Sequence, residues 1–259
     1  MKKVFAIGVG LMLAVIFGAA ARAQKESALQ RSVSSSEPKA STEETDPPLV
    51  LTEAIPLENA KGRFDHFGAG KGKLFVSALG SNAVEVIDIG RRILEHTITG
   101  VPYSQGVTFS PEANKLFVAS GEGRVYIYDG STYNLITTID FEGGADNLRY
   151  DAATKRVYVA CGDDEKTGAI ATIDAVTNQR LEEEYKLGGE PESFQLERSG
   201  PNIYVNVPPL KQIVVVNRAT KEIKRWPLPA SCQESPDCEH LFIASVIADF
   251  ALDNLPLTA

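Results

Sequence analysis

The sequence carries none of the short motifs that announce common chemistries. There is no Cys-x-x-Cys-His for covalent haem, no His-Glu-x-x-His for a zinc protease, no nucleophile elbow and no phosphate-cradling glycine loop. Gly143-Gly144 and Gly188-Gly189 read as turns, because no helical pattern follows either pair. Cysteine is scarce, with Cys161, Cys232 and Cys238 the only three. An oxidising compartment would permit a Cys232–Cys238 bridge, while Cys161, ending a strand-like run, reads as a small buried hydrophobe. Basic residues are outnumbered, 26 Lys and Arg against 34 Asp and Glu. No basic stripe with interleaved aromatics occurs, and an acidic chain repels phosphate backbones, which argues against nucleic-acid binding. Past Ala23 no apolar run is long enough to span a bilayer, so no membrane insertion is expected once the leader described next is removed.

That N-terminal stretch reads as an export leader over residues 1–23, with an uncleaved membrane anchor as the alternative because its apolar run is slightly long for a secretory signal. Lys2 and Lys3 form a basic head, residues 4–20 are apolar, and Ala21-Arg22-Ala23 supplies a small-x-small cleavage pattern. Its removal takes away Lys2, Lys3 and Arg22, moving the formal net charge from −8 to −11. Residues 24–48, rich in Ser, Glu, Lys, Thr and Pro, bury too little apolar surface to order themselves and read as a disordered linker.

From residue 49 to 229 a pattern repeats. Its first word is Lys73-Leu74-Phe75-Val76-Ser77, then Lys115-Leu116-Phe117-Val118-Ala119, Arg156-Val157-Tyr158-Val159-Ala160 and Asn202-Ile203-Tyr204-Val205-Asn206. The aromatics at 75, 117, 158 and 204 are spaced by 42, 41 and 46 residues. A second apolar word follows each and ends at Asp88, Asp129, Asp174 and Asn217, polar residues suited to capping turns. In the second repeat, residues 106–110, 115–120, 124–129 and 135–141 parse as four short strands separated by turn formers. Strand-built periods of this length predict an all-β fold, a β-propeller of four-stranded antiparallel meander blades. Four blades are clear. Residues 49–57 look like an orphan outer strand able to clasp the ring by pairing with C-terminal inner strands. Residues 230–259, including the strand-like His240-Leu241-Phe242-Ile243-Ala244-Ser245, read as a degenerate fifth repeat or an aberrant tail.

The runs Gly100-Val101-Pro102, Gln105-Gly106-Val107, Ser110-Pro111 and Lys115-Leu116-Phe117-Val118-Ala119-Ser120 resemble the YVTN-type β-propeller repeat family. Gly189-Glu190-Pro191 and Ile203-Tyr204-Val205-Asn206 match the pattern again, as does the Asp-Ala-Val-Thr-Asn run at 174–178. The resemblance implies a secreted or periplasmic ring, commonly of about seven blades, of which four blades plus a fragment would be part. It carries little about function.

Propeller ligands meet the loops that lead into the innermost strands. At that place stand Asp65, Gln105, Asn147 and Glu192, with His66, Ser104, Asp146 and Ser193 beside them and Arg63 and Arg149 near. Turn positions favour such residues for backbone hydrogen bonding whatever the function, so the polarity has a structural reading too. Two functional readings follow. In the first, the chain is a non-catalytic scaffold that needs no cofactor. It binds a protein, peptide or cell-envelope ligand at the channel mouth, using Asp65, His66, Gln105, Asp146, Asn147, Arg149 and Glu192. The second is a hydrolase resembling the metal-dependent lactonase propellers. That resemblance implies Ca²⁺ or another divalent cation on Asp65, Asn147 and Glu192, with His66 or Asp146 as general base.

Overall fold

Hydrogen-bond order follows chain order in four sheets of four antiparallel strands, as a meander requires. The computed structural model describes residues 51–228 together with a two-residue strand, β1 (Val4–Phe5), which pairs with β2 (Ile55–Pro56). Blade one comprises β3 (Phe67–Gly70), β4 (Lys73–Ala78), β5 (Ala83–Asp88) and β6 (Ile93–Thr99). Blade two comprises β7 (Ser104–Ser110), β8 (Lys115–Ser120), β9 (Arg124–Asp129) and β10 (Leu135–Asp140). Blade three runs β11 (Ala145–Asp151), β12 (Arg156–Cys161), β13 (Ala169–Asp174) and β14 (Gln179–Lys186). Blade four runs β15 (Ser193–Leu196), β16 (Asn202–Val207), β17 (Gln212–Asn217) and β18 (Ile223–Pro227). These sheets are blades of a β-propeller.

The two repeated words are the middle strands, and they are buried on both faces. Leu116 and Val118 of β8 pack toward blade one with Phe75, while Phe117 and Ala119 pack toward blade three with Leu148 and Val159. A strand clamped between two neighbours needs apolar residues on both faces, which is why these runs do not alternate strictly with polar ones; the polar exceptions, Ser77, Glu85, Ser120, Thr172 and Asn206, are themselves buried. Each fully buried large side chain contributes roughly 1.5–3 kcal/mol of transfer free energy. The outer strands face solvent on one side: along β10 Ile136, Thr138 and Asp140 are exposed while Thr137 and Ile139 between them are half-buried.

The recurring Asp and Asn at the ends of the third strands cap the next turn. Asp129 Oδ1 accepts from the Ser131 and Thr132 amides at 3.0 and 2.8 Å. Asp174 Oδ1 accepts from Val176 and Thr177 at 2.8 Å each, and Asn217 Oδ1 from Ala219 and Thr220 at 3.0 Å each. Each turn ends in a left-handed residue: Tyr133 (φ 57°), Asn178 (φ 61°) and Lys221 (φ 62°).

Ile55, Leu57 and Ala60 bury against Val76 and Ile87, covering the first face of blade one. Ile55 thereby takes the place that Ile98 and Tyr185 take in later seams, as an outer-strand residue should. The expected pairing of this segment with C-terminal strands has no counterpart among the described residues; its partner is Val4–Phe5. The rest of the leader and linker, the fifth-repeat reading at 230–259, Cys232, Cys238 and His240 all lie outside the described residues. Among the described residues no helix is long and apolar enough to cross a membrane.

Candidate functional site at the channel mouth

Equivalent rungs fix which side chains reach the mouth. Phe67 pairs with Val76, Val107 with Val118, Leu148 with Val159 and Phe194 with Val205. Two residues before each inner-strand member stand Asp65, Gln105, Asp146 and Glu192. All four line one cleft of about 250 Å³. Asn147, expected at this place in blade three, is one residue further on. The register shift between Ala145 and Leu148 matches the one between Ser104 and Val107 in blade two, so Asp146 is the counterpart of Gln105, and Asn147, one residue on, is the counterpart of Gly106.

Asn147 is accordingly spent on the seam between blades three and four. It is 1% exposed, its Nδ2 donates to the Glu192 carbonyl at 2.5 Å, and its Oδ1 accepts from Arg149 at 3.3 Å. Arg149 is turned the same way. It donates to Gln195 Oε1 at 3.3 Å and lies over the Phe194 ring at 5.5 Å, and burial pulls its guanidinium down to about 10. Neither residue lines the cleft. Ser104 is likewise buried, donating to the Ala83 carbonyl at 2.9 Å.

Blade two has glycine at the position of Asn147 because the inner strands touch there. A Cβ on Gly106 would stand 2.1 Å from the Asp146 carbonyl oxygen, 2.9 Å from the Leu148 nitrogen and 3.0 Å from Asn147 Cα. That close approach helps bring blade one's loop to blade three's: His66 Nε2 lies 3.1 Å from Asp146 Oδ1.

The cleft is acidic. Asp65, Asp146 and Glu192 are joined by Asp163 and Glu190, while Arg63 and His66 are the basic side chains lining it. Burial raises the Asp65 carboxyl; His66 and Arg63 pull it back and Asp146 pushes it further up. Glu190 is raised by burial and then by repulsion from Asp163 and Asp146. Arg63 is mostly solvated and 3.8 Å from Asp65, so it neutralises little. Glu190 sits in the Gly189-Glu190-Pro191 turn, a match to the repeat pattern, yet sequence reasoning did not mark it as a site residue. Asp163 follows Gly162 (φ 90°) in a loop that no repeat position announces; its carboxylate accepts the Gly144 amide at 2.8 Å.

Such a site can hold a cation. Asp65, His66 and Asp146 each offer one ligand atom, all within 4.8 Å of one another. The set Asp65, Asn147 and Glu192 is not brought together in that way, because the Asn147 amide is committed to the seam. Cys161 also lines the cleft, but burial lifts its thiol to about 11, which leaves it protonated and a poor nucleophile at neutral pH.

Comparison with known proteins adds the fold and little more. No protein-family model matches the chain, and no curated protein matches it in sequence. Among solved structures it is similar to a chain of the mitotic checkpoint complex, at 13% identity and TM-score 0.60 over 70% of this chain and 56% of that one. It is also similar to a chain of Kuenenia stuttgartiensis hydrazine synthase, at 16% identity and TM-score 0.56 over 62% and 48%. This chain spans about half the length of those structures.

Proposed function

We propose that this protein is a non-catalytic propeller scaffold whose channel mouth receives a positively charged group of a protein or peptide partner. The observation that supports it is the imbalance of charge around one cleft: five carboxylates against Arg63 and His66, with Asp65 and Glu190 both pushed up. Carboxylates that burial and mutual repulsion disfavour gain from an incoming cation, and a Lys or Arg side chain supplies it without a resident cofactor. Residues 1–23 act in this reading as a cleaved leader, whose removal takes β1 away from β2 and sets the scaffold in a secreted or periplasmic location. The test is binding by the immobilised chain of two matched peptides, one Lys-rich and one Glu-rich. Selective, salt-sensitive capture of the basic peptide supports the reading; equal capture of both ends it.

A second reading rests on the Asp65, His66 and Asp146 ligand atoms, close enough for one divalent ion. It makes the chain a metal-dependent hydrolase in which the ion polarises a carbonyl and lowers the pKa of water. Calorimetric titration with Ca²⁺ and Zn²⁺ separates the two readings. Stoichiometric binding lost in Asp146→Asn favours the hydrolase, and no heat with either ion removes it.

A further inference from the structure

The turn that leaves the third strand is built alike in blades two and three. Asp129-Gly130-Ser131-Thr132-Tyr133 matches Asp174-Ala175-Val176-Thr177-Asn178 place for place: the Asp side chain caps both turns, and Tyr133 and Asn178 are both left-handed. In blade three this turn holds an ammonium. Lys115 Nζ of blade two crosses the seam to the Ala175 and Val176 carbonyls at 3.0 and 2.6 Å and to Asn178 Oδ1 at 2.7 Å. The same position in blade one is Lys73, which pairs with Asp88 as Lys115 pairs with Asp129.

Lys73 does not make the crossing. Its Nζ stays within its own blade, 2.6 Å from Asp88 Oδ2 and 2.7 Å from Glu95 Oε2. One residue accounts for the difference. Glu95 is the extra member of the bulge in β6, and its counterpart in the bulge of β10 is Ile136, which offers Lys115 no partner.

Where the crossing ammonium would stand, the seam between blades one and two holds a cleft of about 260 Å³, lined by Gly130, Ser131 and Tyr133. The Phe109 ring also lines it, and glycine at 130 makes room for that ring: a Cβ there would lie 2.6 Å from Phe109 Cε2. Tyr133 is held as a wall by stacking on His96 of blade one at 5.1 Å. Beside Lys73 the charged lining is Glu95, already paired with Lys73 and Arg91, and Lys71. Lys71 is exposed, donates to Asn114 Oδ1 at 2.6 Å and has no ion pair among the described residues.

We propose that this cleft binds a small amino acid, a molecule carrying both a primary ammonium and a carboxylate. The ammonium takes the place that Lys115 Nζ takes in the next seam, on the Gly130 and Ser131 carbonyls, and the carboxylate pairs with Lys71. A bare amine would meet Lys71 with a like charge, and a bare carboxylate would meet Glu95 and the turn carbonyls. A zwitterion finds a partner at each end. The cleft lies at the opposite ends of the strands from the channel mouth, so the inference does not depend on the function proposed for that mouth.

Nuclear magnetic resonance titration of the isotope-labelled full chain tests it, with glycine, β-alanine and γ-aminobutyrate as probes and butylamine and butyrate as single-charge controls. Saturable shifts at the amides of Ser131, Thr132 and Tyr133 are expected with a zwitterion, and binding weaker by about tenfold or more with either control. Glu95→Ile puts blade two's residue into blade one's bulge. It frees Lys73 to fill the turn as Lys115 does, and should weaken binding by about tenfold. Lys71→Met, at an exposed position that leaves the fold intact, removes the carboxylate's partner and should weaken it likewise. Amide signals away from the seam report whether each variant is folded. No saturable shift with any zwitterion, butylamine binding as tightly as the zwitterions, or unchanged affinity in either variant overturns the proposal. Shifts confined to Asp146 and Glu192 assign the ammonium to the mouth and overturn it as well.

Discussion

His66 Nε2 and Asp146 Oδ1, 80 residues apart in sequence, meet at 3.1 Å and join the loop of blade one to the inner strand of blade three. The contact shows how closely the inner strands converge at the mouth, and it sets Asp65 beside the Asp146 carboxylate as well as the His66 imidazole. From this crowding, and from the turns and seams that produce it, several measurable consequences follow.

Asp65→Asn is expected to raise the thermal midpoint at pH 7. Its folded carboxyl is raised by burial, so on increasing pH the unfolded chain gives up this proton first and the folded chain only at a cost. The destabilisation is absent below the ordinary aspartate range and fully present above the raised value. The gain in the variant should therefore vanish near about pH 3, where both states are protonated. Thermal scans at the two pH values check this, and a lower midpoint at pH 7 would mean that Asp65 contributes to stability through an attraction stronger than its burial cost.

Gly106→Ala should destabilise by about 1–3 kcal/mol, because the new methyl group meets backbone that cannot rotate away. Gly90→Ala is the control, since its added Cβ meets nothing nearer than Asp88 Oδ1 at 3.5 Å. Urea unfolding of both variants gives the comparison. Equal midpoints would show that blades two and three have room to separate.

Asp129→Ala and Asn217→Ala remove the same kind of turn cap and should each lower the midpoint by a few degrees. Only the first should depend on pH. Hydrogen bonds from the Thr132 and Ser131 amides hold the Asp129 carboxyl low, so its contribution is present above the ordinary carboxylate range and lost as pH falls through the lowered value. The Asn217 amide does not titrate. Midpoints of both variants from pH 7 to about pH 2 distinguish them.

Lys115→Met should cost about 1–3 kcal/mol by leaving acceptors of the next blade's turn without their donor. Lys115 Nζ donates to the Ala175 and Val176 carbonyls at 3.0 and 2.6 Å and to Asn178 Oδ1 at 2.7 Å. The loss should be recovered poorly by Arg, whose planar fork does not fit a three-way convergence on one nitrogen. Chemical denaturation of Lys115→Met and Lys115→Arg tests both statements.

The blades were legible because the same physics acts four times. Strands buried on both faces are mostly apolar on both, and turns of one geometry are capped by Asp or Asn, so Phe117 with Asp129 repeats as Tyr158 with Asp174. The mouth was legible to within one residue. Asp65, Gln105 and Glu192 line it, but in blade three Asp146 rather than Asn147 is the counterpart of Gln105: both blades carry the same bulge, and no residue type marks which of two adjacent polar residues faces the mouth. Asp163 was hidden for another reason: it arrives on a loop between strands that no repeat position announces. Glu190 fills the variable middle place of a Gly-x-Pro turn, where blade two has Val101, so the repeat does not mark it as acidic.

Titration of a short Lys-rich peptide into the wild-type chain and into Asp65→Asn/Asp146→Asn tests the proposed role of the mouth most directly. The account predicts saturable binding by the wild type that weakens as salt rises, reduced at least tenfold in a double variant that remains folded. Binding of equal strength by both proteins would contradict it, and would place the partner's contact elsewhere on the propeller.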